Sequence, residues 1–450
     1  MTAGTELLTP QQMQQADDTC GIPINTLIDR AGLAVAEEIV RRYGARKTVV
    51  LCGPGNKGRD GAVAARHLQS WGWPVSIGDD ISGAELIIDA LYGAGLNRDF
   101  PPNLAGAINS AGVPVISIDV PSGLDWLTGH PRGASVKADL TITFFCKKPG
   151  HVLLPGRTLC GEVVVRDIGI QTGVLDHKDI RVWENRKPQL PTLVADGHKY
   201  RRGHALIISG SKFQTGASRL TANAALKIGA GLVTIGGKAD ALLVHASHLT
   251  AVMLAETKTT NDLIKLLSDK RINAVCIGPA AAVGPKTTKN VKTVLESGAA
   301  VVLDADAITS CSSNPRLLFN WIEANPNRPV VMTPHEGEFA RIFDSALVSK
   351  LERARAAAKL SGAIIILKGA DTVITHPDGR AKINTNAPPN LATAGSGDIL
   401  AGIVTGLLAQ GMDGFEAACA AVWLHGDAAN KFGGSTFTAE ELLTKIGQST

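Results

Sequence analysis

The stretch Leu391-Ala-Thr-Ala-Gly-Ser-Gly-Asp-Ile-Leu-Ala-Gly402 sets small residues directly ahead of an apolar run, Ile399 to Leu408, whose spacing predicts a helix. The backbone N–H groups of Ala394 to Gly397 are then first-turn donors. With the helix dipole they form an anion site suited to a phosphate. Asp398 puts a carboxylate at the rim of that site. A carboxylate there binds phosphate poorly but is well placed to take a proton from a hydroxyl about to attack it. An aspartate at a helix start is also a common cap, and Gly-Ser-Gly-Asp by itself leaves both roles open.

Other polar residues recur at the ends of apolar strands. In the rear half, Asp304, Asp306, His335 and Lys368 follow the runs near 299–306, 329–335 and 363–369. In the front half, Lys47-Thr-Val-Val-Leu-Cys52 is a strand that enters Gly53-Pro-Gly-Asn-Lys-Gly-Arg-Asp-Gly61 and then a helix from Ala62 to Trp71. That layout is a phosphate-binding turn, though not a Walker A loop, because no Lys-Ser/Thr pair opens the helix. Two further strands end in Asp89 and Asp119. In a parallel sheet the C-terminal strand ends share one edge, so Asp60, Asp89 and Asp119 are expected to converge there, for proton transfer or a cation. Each could instead cap the turn that follows it.

Apolar strands alternating with helices in both halves predict parallel sheets covered on both faces. Residues 171–197 lose periodicity and collect Pro188 and Pro191, which places a linker at 176–197 between domains 1–175 and 198–450. The 450 residues, 44% hydrophobic and 19% charged, describe an ordinary globular chain. A net charge of +4 with only 10 Phe, 6 Trp and 3 Tyr argues against a nucleic-acid partner. Seven scattered cysteines without a Cys-x-x-Cys pair point to reduced thiols and no zinc. No signal-like start or run of roughly 20 apolar residues is present, so a cytoplasmic location away from membranes is expected.

The rear motifs His198-Lys-x-x-x-Gly, Gly229-Ala-Gly-Leu-Val-Thr, Leu303-Asp-Ala-Asp-Ala307, Thr333-Pro-His-Glu-Gly-Glu-Phe339, Leu367-Lys-Gly-Ala and Ala392-Thr-Ala-Gly-Ser-Gly-Asp398 resemble the ADP-dependent NAD(P)H-hydrate dehydratases, which have a ribokinase-like fold. The front motifs Gly53-x-Gly-Asn, Asp89-Ala-x-x-Gly-x-Gly and Asp119-Val-Pro-Ser-Gly-Leu-Asp125 resemble the Rossmann-like NAD(P)H-hydrate epimerases fused to them. The resemblance covers nearly the whole chain. It implies an α/β protein that repairs NADH and NADPH hydrates with ADP or ATP as phosphate donor and Mg2+ to neutralise the phosphates. By the resemblance, Ala217, His335 and Asp398 contact the hydrate, with Asp398 catalytic, while Lys368, Gly369, Ala370, Asp371, Thr372, Gly395, Ser396 and Gly397 hold the nucleotide. His335 has a second reading as a structural hydrogen-bonder. In the epimerase half the resemblance assigns the hydrate to Asn56, Lys57, Gly58, Arg59, Asp60, Gly93, Gly95 and Asp119, and potassium to Asp89 and Ser122.

Three departures qualify this. The family's Gly-Pro-Gly-Leu-Gly is Gly278-Pro-Ala-Ala-Ala282 here, which loses two glycines. Its Asn-Asn-Gly-Gly-Asp-Gly is Asn56-Lys-Gly-Arg-Asp-Gly61, so the Lys57 ammonium is expected to pair with Asp89 in the place of potassium, and Arg59 is expected to crowd the pocket. The chain between Val75 and Leu86 is also too short for an additional helix and strand. An active epimerase and a degenerate, mainly structural domain both remain open. A vitamin kinase of the same fold and a non-catalytic nucleotide sensor are the alternatives for the rear half. A homo-oligomer is compatible with all of these.

Overall fold

The computed structural model describes residues 4–93, 95–96, 98–175, 179–192, 198–343 and 348–447. The chain divides into two compact units, Met1–Glu184 and Asn185–Thr450.

In the first unit, strands β1 (Thr48–Cys52), β2 (Val75–Ile77), β3 (Leu86–Ala90), β4 (Val115–Ile118), β5 (Leu140–Phe144) and β6 (Glu162–Arg166) form a parallel sheet in the order β2-β1-β3-β4-β5-β6. Alternate residues face opposite sides, and both sides are covered. Val50, Ile88, Ile116 and Ile142 meet Leu27, Val35, Ile39 and Leu68 on one face. Val49, Leu51, Ile87 and Val115 meet Phe100, Ala105 and Ile108 on the other. Burial on two faces explains why these strands read as continuous apolar runs. The strand order reverses between β1 and β3, where ligands gather in open α/β sheets.

Only Gly53-Pro54-Gly55 of the glycine stretch after β1 forms a turn. The helix begins at Asn56 and runs to Ser70. A Cβ at Gly58 would lie 1.8 Å from the Gly53 carbonyl oxygen, and one at Gly61 would lie 2.4 Å from the Ala90 Cβ. These glycines therefore let the helix start sit hard against the strand ends. The stretch expected to be a linker contains β7 (Val182–Glu184), which runs beside the N-terminal segment: Leu7 N–H donates to Val182 O at 3.0 Å and Glu184 N–H to Thr5 O at 2.7 Å. Residues 176–178 and 193–197 of that stretch lie outside the described residues.

The second unit has β8 (His204–Ile208), β9 (Leu232–Gly237), β10 (Met253–Glu256), β11 (Ile272–Ile277), β12 (Ala300–Leu303), β13 (Val330–Met332) and β14 (Ile364–Leu367), parallel in the order β10-β9-β8-β11-β12-β13-β14. Two antiparallel strands, β15 (Val373–Thr375) and β16 (Ala381–Ile383), extend it beyond β14. The helix Ser396–Ala409 is buried at every position from Ile399 to Ala409. Gly402 seats it on the helix Gly216–Lys227, where a Cβ would stand 2.3 Å from the Thr221 carbonyl oxygen.

Candidate active site

In the second unit, Gly395 is the N-cap of the Ser396–Ala409 helix, with φ +86°, and no side chain caps this end. A Cβ at Gly395 would strike Leu220 Cδ1 at 2.7 Å and Ala439 Cβ at 2.8 Å, so only glycine fits this left-handed turn. Asp398, two turn positions inside the helix, makes no cap bond. Its carboxyl is pushed up to about 6 by burial and by Asp304, against the pull of Lys368. A carboxylate poised near neutrality suits a general base. One expected donor is used differently: Ser396 N–H turns back to Thr393 O at 3.3 Å.

A charged cluster stands beside this turn. Lys368 Nζ lies 3.0 Å from Asp304 Oδ1 and 3.7 Å from Glu338 Oε2, and Thr333 Oγ1 donates to Asp304 Oδ1 at 2.7 Å. The Asp304, Glu338 and Asp398 carboxylates hold the Lys368 pKa above the usual lysine value, against its burial. A Cβ at Gly397 would be 3.7 Å from Lys368 Nζ, which brings the lysine to the helix start. Behind Lys368, the Lys350 ammonium donates to Asp371 Oδ1 at 2.6 Å, and Thr372 Oγ1 donates to Gly369 O at 2.6 Å, so residues 368–372 form a braced turn in which Ala370 is exposed.

His335 caps the helix Glu336–Ile342: its Nδ1 accepts from Gly337 N–H at 2.9 Å, while Glu338 Oε2 accepts from His335 N–H at 2.9 Å. Its second reading thus has a geometric basis: Nε2 lies 3.5 Å from Glu338 Oε1, although the side chain is 57% exposed. Ala217 is half-buried in the first turn of Gly216–Lys227, the helix on which the Asp398 helix rests. Asp306 is drawn away instead, its Oδ2 accepting from Ala282 N–H at 2.9 Å. Ala280 and Ala282 adopt left-handed φ values of +53° and +66°, a backbone region that favours glycine. His425 was not signalled by any motif. Burial lowers its pKa to about 4 against a backbone hydrogen bond with Ser396, and Nε2 finds no partner among the described residues.

In the first unit a cavity of about 510 Å3 opens at the β1/β3 reversal. Asn56, Lys57, Asp60, Gly93, Gly95 and Asp119 line it, and Gly58 lies beneath, against Gly53. Ala94 and Asn97 of the adjoining loop lie outside the described residues. Arg59 does not crowd the cavity: its guanidinium donates to Asn25 Oδ1 at 2.7 Å and the side chain is exposed. Asp89 does not face the cavity either. It is fully buried, and its carboxylate accepts from Ser117 Oγ at 2.9 Å, Ser122 N–H at 2.8 Å and Lys57 Nζ at 3.2 Å. The Lys57 ammonium also donates to Val120 O at 2.7 Å, Ser122 Oγ at 3.0 Å and Tyr92 O at 3.2 Å. The side chain thus stands among the donors that the resemblance gave to potassium, and these residues do not fit a free ion in addition.

Asp119 sits at φ +64°. Its Oδ1 accepts from Lys148 Nζ at 2.6 Å and Thr143 Oγ1 at 2.7 Å. Burial raises its pKa, but Lys148 and Thr143 prevail and hold it below the usual carboxylate range. Asp60 is the opposite case: burial and the nearby Asp119 charge push it well above that range. Lys148, Asp17 and Trp126, all cavity residues, had no local signature in the sequence. Asp17 is raised to about 6 by burial, Lys148 lies 5.3 Å from the Trp126 ring centroid, and the buried Trp126 Nε1 lacks a protein partner among the described residues. Among the described residues no group of three or more His, Cys, Asp or Glu side chains is arranged to hold a metal ion. No described helix is long and apolar enough to cross a membrane.

Comparison with known proteins adds independent findings. The family described as NAD(P)H-hydrate dehydratase matches residues 205–448, and the family described as YjeF-related protein N-terminus matches residues 24–80 and 75–150. The bifunctional NAD(P)H-hydrate repair enzyme of Moorella thermoacetica is 33% identical over 97% of this chain and 95% of its own length. Its counterpart from Archaeoglobus fulgidus is 33% identical over 99% of this chain and 98% of its own. In fold, the second unit is like a ribokinase-like superfamily protein from Enterococcus faecalis, at 24% identity and a TM-score of 0.50, over 58% of this chain and 90% of that one.

Proposed function

The chain belongs to the bifunctional NAD(P)H-hydrate repair enzymes, and from that premise we propose how its two units divide the work. The second unit dehydrates the S hydrate of NADH or NADPH at the expense of an adenine nucleotide. Residues 368–372 and the Gly395–Gly397 turn hold the nucleotide, and Ala217 and His335 flank the hydrate. Asp398 takes the proton of the ring hydroxyl as its oxygen bonds to the terminal phosphorus and the bond to the departing nucleotide breaks. The turn amides and Lys368 stabilise the charge gathering on the phosphoryl oxygens. The phosphate ester then leaves with its bonding pair, the neighbouring ring carbon loses a proton, and the dihydropyridine double bond returns. With ADP the by-products are AMP and inorganic phosphate. Mg2+ would arrive with the nucleotide, held chiefly by its phosphates because the protein offers no carboxylate cage among the described residues, and would offset their charge.

The first unit interconverts the R and S hydrates. Exchange of the hydroxyl between ring faces needs an acid to help it leave and a base to return water, and the two cavity aspartates are pushed in opposite directions, Asp60 up by burial and Asp119 down by Lys148 and Thr143. Seven free thiols are in keeping with a cytoplasmic site of action.

The observation that carries the reading is Asp398 itself: inside an uncapped helix start, next to Lys368, and poised near pH 6. Incubating the protein with NADH hydrate and ADP, then with ATP, should restore the near-ultraviolet absorbance of reduced nicotinamide. A vitamin kinase would leave that absorbance flat, and a nucleotide sensor would bind ADP without turnover.

A further inference from the structure

The oxygens around Lys57 Nζ come from two loops. Asp89 and Tyr92 belong to β3 and the turn after it, and Val120 and Ser122 to the turn after β4. All four atoms face the nitrogen as acceptors, because the Ser122 hydroxyl spends its own proton on Asp89 Oδ1. The set is one carboxylate, two carbonyls and a hydroxyl at 2.7 to 3.2 Å, with the lysine side chain 6% exposed. Such a cage solvates one positive charge, and oxygens at 2.7 to 3.2 Å suit ammonium or the similarly sized potassium better than the smaller sodium. Burial draws the Lys57 pKa below its usual value while Asp89 works against this. The two loops it ties together are those that present Gly93 and Asp119 to the cavity.

We propose that Lys57 is a tethered monovalent cation: it makes the first unit independent of potassium, and shortening it opens a binding site for free potassium or ammonium. The role is positional, and its catalytic reading rests on the epimerase activity proposed above. The test uses the full-length protein exchanged into sodium buffer, with Lys57→Gly and Lys57→Asn variants. Two readouts are followed against added potassium, ammonium or sodium chloride: exchange between chromatographically resolved hydrate epimers, and the melting midpoint of the first unit. Wild-type protein is expected to show the same rate and midpoint in all three salts. In a variant the rate should fall about ten- to a hundredfold in sodium, the range seen when a group orienting a reactive site is lost. Potassium or ammonium should restore it and raise the midpoint. A potassium-specific response of the wild type overturns the proposal. So does a folded variant that answers to no cation, or the failure of both variants to fold even in saturating potassium. If wild-type protein does not exchange the epimers, the epimerase reading fails, and the melting measurements still decide the cation proposal.

Discussion

Replacing Asp398 with asparagine should make the second unit more stable while removing its activity. The carboxyl rises from an ordinary 3.8 to about 6 in the folded chain. A raised carboxyl favours the protonated form in the fold, so its contribution to stability is intact below about pH 4 and lost as pH climbs through about 6. The full difference corresponds to about 3 kcal/mol. Asp398 is only partly buried, and solvent screening reduces the expected gain to about 1–2 kcal/mol at pH 8. Asparagine keeps the shape and never carries the charge. Chemical unfolding, followed through Trp321 and Trp423 of this unit, should therefore show Asp398→Asn ahead of wild type at pH 8 and level with it at about pH 4. In the hydrate assay the same variant should lose about 10²–10⁴-fold in kcat while still binding ADP by calorimetry. The wild-type kcat/KM should rise with pH and level off above about 6. A variant that is less stable at pH 8, or that keeps wild-type turnover, would refute the assignment of Asp398 as a strained base.

Lys368→Met leaves the buried Asp304 carboxylate without its cation, so a loss of about 3–5 kcal/mol in unfolding free energy should accompany weaker ADP binding, read by denaturant titration and calorimetry. Ala280→Gly and Ala282→Gly relieve left-handed backbone at +53° and +66°. Each should stabilise the second unit by up to about 1 kcal/mol, the left-handed penalty less the gain in unfolded-chain entropy, seen as a higher melting midpoint. Trp126→Phe removes an indole N–H that has no protein partner. Stability should hold or rise, and if a hydrate occupies that donor, KM for epimerisation should increase several-fold with kcat little changed.

The strands were legible because burial on both sheet faces writes them as unbroken apolar runs, and the helix at 396–409 because small residues lead straight into one. Asp398, Lys368 and Lys57 were legible as well, since each lies in a short local pattern. Tertiary contacts decided the rest. Arg59 turned to Asn25, and no pattern near position 59 announces a partner at position 25. Asp89 appeared as one of three carboxylates at a sheet mouth, but Ser117, Ser122 and Lys57 occupy it below the mouth. The glycines after β1 read as a loop because glycine permits one; here they allow a helix to press on strand ends, a demand set by Leu91, Ala90 and Gly53. Trp126 reaches the front cavity from the segment after β4 and Lys148 from the turn after β5, while Lys350 reaches residue 371 from the start of its helix.

The helix that presents Asp398 is apolar on all sides and buried from Ile399 onward. Such a segment has no solvent-facing side on which to persist alone, so it takes shape only as its neighbours close around it. The Gly395–Gly397 turn at its start therefore forms together with the core rather than before it. In a denaturant series, catalysis and the core should disappear together.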